Sequence, residues 1–291
     1  MSNLSDKIVI LGDSSSGVDA TKSAKICKII ADLYPKYIIG VGDNEYTTIN
    51  TPKNLCNGID RWSITNRLFA SPGNHDNDQN DNRASFNSFF GGGGYKKVSI
   101  GNIDIFIFDV YLNDAEDGYL TSIEVRDRTL NQFQSSNQGK WLINQLNSST
   151  AAYKIVAFHQ NCWTSGKDAS VYHCDGMRWD WASWGVNIIF NAHQHFYERL
   201  LVNTGSGNVN VICIGHSGAL AYVGPATGEQ LAQSQKIISG NASSSNYDSS
   251  CAYGFINTIE ENGDQLIFKT YGINSSYIVS TSKDELKLTK T

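Results

Sequence analysis

The chain has 291 residues, 40% of them hydrophobic and 18% charged, enough to bury one large α/β core or two small ones. Its net charge of -5, from 23 basic and 28 acidic residues with no basic block, argues against nucleic acid held mainly through its phosphates. The longest apolar runs are strand-sized, so no segment reads as a membrane span.

The first residues lead straight into Ile8-Val9-Ile10-Leu11. Four apolar residues are too few for a signal-peptide core. The compartment therefore reads as secreted or periplasmic if a leader has been removed, and otherwise as cytoplasmic or virion-associated. Lys7 to Leu11 is expected to be a buried strand ending at Gly12-Asp13. Asp19 to Tyr34 has apolar residues at 26, 29, 30 and 33, a helical spacing that Pro35 stops. Tyr37 to Val41 is a second strand, again ending in Gly-Asp. Strand, helix and strand make a βαβ unit, so both Gly-Asp pairs should emerge at one sheet edge, where open α/β sheets bind ligands.

Leu68 to Ser71 reads as a short strand feeding Pro72-Gly73-Asn74-His75-Asp76, followed by a helix near Arg83 to Phe89. Lys97 to Ile100 and Ile103 to Asp109 form a predicted hairpin, and residues 111–135 a long loop. Gln138 to Leu146 fits a helix with Trp141, Leu142 and Leu146 inward. Lys154 to Phe158 is a strand delivering His159, Gly176 to Trp184 a short helix, and Val186 to Phe190 a buried strand before Asn191-Ala192-His193-Gln194-His195. After a strand at Val209 to Ile214, residues 215–252 read as a lid or a disordered insertion. Tyr253 to Glu260 and Leu266 to Tyr271 form a hairpin near Asn262-Gly263. With no internal repeat and no linker, residues 1–291 are expected to be one domain, its core about 7–272 with a C-terminal extension 273–291. The six cysteines show no Cys-x-x-Cys spacing. Cys27 and Cys213 are expected to be buried thiols, and pairing of Cys162 with Cys174 stays open.

Each strand end delivers a metal-ligand type: Asp13, Asp43 with Tyr46, Asn74, His159, then His193 and His195. Seven oxygen and nitrogen donors are too many for a single ion. They fit two ions, with one shared carboxylate spanning a separation of about 3.5 Å.

In these motifs the sequence resembles the calcineurin-like metallophosphoesterases, and within them the purple acid phosphatases. The family's motifs stand here as Gly12-Asp13, Gly42-Asp43-Asn44-Glu45-Tyr46, Gly73-Asn74-His75-Asp76, His159 and Ala192-His193-Gln194-His195, with Phe196-Tyr197-Glu198-Arg199 following. The resemblance covers roughly residues 7–260. It implies a four-layer α/β/β/α sandwich of two mixed β-sheets flanked by helices. It also implies a phosphomonoesterase in which a metal-bound hydroxide attacks phosphorus. Carried over position by position, site one holds Asp13, Asp43, Tyr46 and His195, and site two Asp43, Asn74, His159 and His193. The wider superfamily has a histidine where Ser15 stands, and Tyr46 offers a phenolate instead. That exchange implies Fe(III) at site one, with Zn, Mn or Fe(II) at site two. His75 is a candidate general acid; Asn74, His75 and His216 are candidate contacts to a small phosphorylated substrate. Ala192 in place of glycine, the lengthened Ser14-Ser15-Ser16 turn and the missing proline after His159 bear on substrate fit. A phosphodiesterase or nucleotide pyrophosphatase, and a non-catalytic structural or binding protein, are the alternatives on the same scaffold. Oligomeric state is left open.

Overall fold

A computed structural model describes residues 4–14, 20–44, 67–77, 82–90, 95–114, 118–166, 173–219, 221 and 234–290. Strands β1 (Ile8–Leu11), β2 (Tyr37–Val41) and β3 (Leu68–Ser71) run parallel, with helix α1 (Ala20–Asp32) between the first two. They form one side of a six-stranded sheet in the order β15-β14-β13-β1-β2-β3. Its other half is an antiparallel meander, β13 (Gly254–Asn262), β14 (Gln265–Ile273) and β15 (Val279–Thr289). The edge strand of this sheet, Val279–Thr289, thus comes from the stretch that the sequence reading set apart from the core.

The second sheet has seven strands: β4 (Lys96–Ile100), β5 (Ile103–Ile107), β8 (Tyr153–Ala157), β9 (Val186–Asn191), β10 (Tyr197–Asn203), β11 (Asn208–Ile214) and β12 (Ser234–Ile238). Within it β5, β8, β9 and β11 are parallel, and β4, β10 and β12 antiparallel to their neighbours.

Strand alternation decides the layering. Ile8, Ile10, Ile39 and Val41 of the first sheet pack against Ile105, Ile107, Ile155, Ile188 and Ile212 of the second. The alternate residues point outward, Val9, Leu11 and Ile38 onto Ile26 and Ile30 of α1, and Phe106, Val156, Ile189 and Val211 onto Leu142 and Leu146. Near-continuous apolar strands are what a sheet covered on both faces requires. The result is the expected four-layer α/β/β/α sandwich. Among the described residues no helix is long and apolar enough to cross a membrane.

Several elements depart from the sequence reading. Residues 111–135 are not one long loop. They hold a two-stranded hairpin, β6 (Leu112–Asn113) with β7 (Gly118–Tyr119), and then helices α3 (Ser122–Asp127) and α4 (Leu130–Ser135). Each helix is opened by a capping box, Thr121 with Glu124 and Thr129 with Gln132, a Thr-x-x-Glu/Gln signal visible in the sequence. The helix near residue 83 is α2 (Asn82–Phe90), and the next long one is α5 (Asn137–Ser148). The predicted helix over 176–184 is two 3-10 turns, Asp175–Met177 and Trp181–Trp184. Within the supposed insertion 215–252, β12 pairs with β10, and residues 222–233 lie outside the described ones. Cys27 and Cys213 are buried; Cys162 and Cys174 are buried free thiols.

Candidate metal centre

The parallel strands of both sheets end at a common edge, and the sequence places a polar residue at each exit. Asp13 follows β1, Asp43 follows β2, Asn74 follows β3, His159 follows β8 and His193 follows β9. Three of these turn back over the edge in the left-handed region, Asp13 at φ 50°, Asp43 at φ 48° and His193 at φ 65°. Each such residue costs on the order of 1 kcal/mol, a strain concentrated at functional sites.

The side chains converge in two adjoining groups. In the first, His195 Nε2 lies 3.0 Å from Asp13 Oδ1, and Asp13 Oδ2 accepts the His193 backbone N–H at 2.8 Å. In the second, Asn74 Oδ1 lies 3.2 Å from His159 Nε2 and 3.0 Å from His193 Nδ1. Asp43 Oδ2 is 3.4 Å from His159 Nε2, and one ligand atom each from Asp43, His159 and His193 falls within 4.8 Å of the others. The described residues thus bring Asp13 together with His195, and Asp43 and Asn74 together with His159 and His193. Tyr46 lies outside the described residues.

Second contacts orient the ligands. His159 Nδ1 is 3.0 Å from the Val41 carbonyl, which places its proton there and leaves Nε2 to face Asp43 and Asn74. Asp76 accepts from Gly73 N at 2.8 Å and from Asn44 N and Nδ2, each at 3.0 Å. Two glycines let backbone approach side chain. A Cβ on Gly42, at φ 81°, would stand 2.3 Å from His159 Nδ1, and one on Gly73 would stand 2.2 Å from Asp43 Oδ1.

Burial separates the inner wall from the mouth. Asp13, Asp43, His159 and His195 are buried, whereas Asn74, His75 and His193 are half-buried and form the open side. His75 donates its backbone N–H to Asp43 Oδ1 at 2.9 Å, which places it on that side. His216, a candidate substrate contact, stands deeper than the other candidates. It follows β11 at the same edge but is fully buried, with its ring against Phe255 and its Nε2 facing Gly240. Burial and then the nearby Lys22 hold it well below the usual histidine range.

The donor set is two carboxylates, one carboxamide oxygen and three imidazoles, a mixture that suits Zn, Fe or Mn. Two imidazole nitrogens face one amide oxygen beside a buried carboxylate, so one small volume holds donors from four residues that a cation could use. Burial alone would raise the Asp43 carboxyl, but His159 beside it pulls it well below the usual range. Burial works against the His159 cation too, yet Asp43 wins and raises it to about 9. His193 is pushed down to about 3 by burial and then by His159, so it is a neutral ligand at neutral pH. Asp76 is pushed up to about 7 by burial and then by Asp43.

A pH dependence follows from the ion pair. The raised His159 stabilises the metal-free protein fully below about 6.5 and loses that contribution as pH rises through about 9. A cation must displace the same proton. Zinc affinity is therefore expected to rise about tenfold per pH unit per displaced proton from pH 6.5 and to level off near pH 9. Chelator competition at four pH values measures this; a flat profile would contradict the ion pair.

The model of the calcineurin-like phosphoesterase family matches residues 6–197, well over half of the chain. The chain belongs to that family. Among curated proteins, no sequence matches this chain. Its fold is similar to that of a purple acid phosphatase from yellow lupin (Lupinus luteus) seeds, with TM-score 0.65 and 14% identity over 98% of this chain and 53% of that one. The chain thus spans about half the length of the lupin protein. PhoD is similar at TM-score 0.59 and 12% identity, over 98% of this chain and 69% of that one. GAP50, described as the anchor in the inner membrane complex of Plasmodium, is similar at TM-score 0.56 and 14% identity, over 98% and 89% respectively. At such identities the likenesses speak to the fold.

Proposed function

We propose that this phosphoesterase hydrolyses small phosphomonoesters at a binuclear metal centre of the purple acid phosphatase type. The observation that carries the reading is the convergence of Asp43, His159 and His193 within 4.8 Å beside the Asp13–His195 pair. Asp13, Asp43, Tyr46 and His195 would hold Fe(III), and Asp43, Asn74, His159 and His193 would hold Zn, Mn or Fe(II). Two such ions supply a water of lowered pKa and positive charge for the phosphate oxygens. The chain's own residues do the rest. Asp43 presents both carboxylate oxygens from a buried position, Oδ1 held by the His75 amide and Oδ2 beside His159. Asn74 and His75 stand on the half-buried side, where a phosphate would enter. In this reading His75 would donate a proton to the departing alkoxide.

One set of measurements tests this. The protein is loaded with iron and zinc, its metal content determined, and its turnover compared on a monoester and a diester of one leaving group. The expected result is two ions per chain and a monoester rate at least about tenfold higher, a margin of about 1.4 kcal/mol. A purple band should appear and vanish in Tyr46→Phe. A faster diester would favour the phosphodiesterase or pyrophosphatase alternative. Two ions bound with no turnover would favour the non-catalytic one.

A further inference from the structure

We propose that Asp284, on the last strand, is a positioning residue for the metal centre, holding the loop of His193 and His195 through Tyr197 and Arg199. The proposal rests on the metal-centre reading above. Asp284 Oδ2 accepts from Tyr197 Oη at 2.7 Å and from Arg199 Nε at 2.7 Å, and Oδ1 accepts from Arg199 Nη2 at 3.1 Å. Both carboxylate oxygens are thus used, one of them twice. Tyr197 and Arg199 lie two and four residues beyond His195, on one face of β10 by strand alternation. The Asp284 side chain is 9% exposed and that of Arg199 15%, so the pair is shielded from solvent.

The topology makes this contact consequential. Strand β10 belongs to the seven-stranded sheet, whereas β15 is the outer edge of the six-stranded one. The Asp284 carboxylate therefore ties the two sheets together at the base of the histidine loop. Tyr197 is wedged between them, fully buried, with ring centroids 5.8 Å from Phe255 and 6.5 Å from Phe268. The ladder of β14 with β15 shifts between Thr270↔Asp284 and Tyr271↔Ser282, leaving Lys283 as an extra residue. A bulge re-aims side chains. Here Lys283 reaches Asp248 at 3.0 Å while Asp284 reaches Arg199.

The loop between β9 and β10 is tied at its start by Ala192 N to His159 O at 2.9 Å and by His193 N to Asp13 Oδ2 at 2.8 Å, so Asp284 acts on its downstream end. Its internal bonds are short-range, from Gln194 N to Ala192 O and from Phe196 N to Gln194 O, both 2.7 Å, with His193 at positive φ. Its downstream end is set where β10 begins, at Tyr197. On the opposite face Glu198 accepts from Thr164 Oγ1 at 3.1 Å and Ser165 N at 2.9 Å, tying in the segment that follows His159. The family match ends at residue 197, so neither Arg199 nor Asp284 falls within it.

The test uses the whole chain and zinc alone as probe, by chelator competition at a temperature where every variant is folded. Asp284→Ala is expected to weaken zinc binding about tenfold, the lower end of what loss of an outer contact costs. Asp284→Glu should recover part of the loss. Glu285→Gln, next on the same strand but paired with Lys269 and Lys287, should change affinity less than twofold. If Asp284→Ala does not fold, Asp284→Asn, which keeps an acceptor for Tyr197, takes its place. A wild-type chain that takes up no zinc overturns the metal-centre reading itself. A wild type that binds zinc, with the Asp284 variant within twofold of it or Glu285→Gln losing as much, overturns the positioning role.

Discussion

Asp43→Asn is expected to lower phosphomonoester turnover at least about a thousandfold and to leave fewer than two ions on the folded chain. The magnitude follows from the role. A metal ion acting on a phosphoryl group is worth several kcal/mol, and each 1.36 kcal/mol is tenfold in rate. Asp43 is the single residue assigned to both ligand sets. Its Oδ1 and Oδ2 face different neighbours, the His75 amide at 2.9 Å and His159 Nε2 at 3.4 Å. An asparagine keeps the shape and can still accept the amide hydrogen bond, but it offers one neutral oxygen where two cations would share a charge. The same change removes the anion that raises His159, so zinc affinity in the variant should lose most of its dependence on pH between 6.5 and 9. Circular dichroism of the variant should be unchanged. A variant retaining a tenth of the activity and both ions would remove Asp43 from the centre.

Gly42→Ala is expected to cost about 3 kcal/mol or more of stability, and to weaken metal binding with it. Two penalties add here. The backbone sits at φ 81°, which costs an L side chain roughly 1–2 kcal/mol. The new methyl would stand 2.3 Å from His159 Nδ1 and 2.5 Å from its Cβ, and overpacking of this kind costs about 1–3 kcal/mol. Relief by moving the imidazole would break its bond to the Val41 carbonyl and turn Nε2 away from Asp43. The substitution should therefore lower the unfolding midpoint by about 6 °C or more at this chain length. A midpoint within about a degree of wild type would show that the close approach of Gly42 to His159 is not made in solution.

Much of the site was legible before the fold was known, because each ligand sits one or two residues beyond an apolar run. Strand ends are readable from hydrophobic patterning, and Gly-Asp, Gly-Asn-His and His-x-His are short enough to be contiguous in sequence. Asp13, Asp43, Asn74, His159, His193 and His195 were all named this way. His216 matched none of those motifs, and its surroundings could not be read from the chain. It too follows a strand at that edge, but burial beneath Phe255 and Gly240 is a property of three segments meeting, which one segment does not encode. The two capped helices at residues 122–135 carried a local signal that apolar periodicity passes over in helices of one to two turns.

By itself, then, the sequence determined which residues would stand at the strand exits, and hence the donor types and the parallel character of the strands. Local patterning suffices for that, since alternation and turn residues act over a few positions. The tertiary structure alone decided that β12 and β15 complete the sheets and that an aspartate about ninety residues downstream supports the histidine loop. Edge strands are half exposed and mixed in polarity, so periodicity marks them weakly. A carboxylate's partner is chosen by how the two sheets pack, and nothing near Asp284 in the chain announces Tyr197 or Arg199.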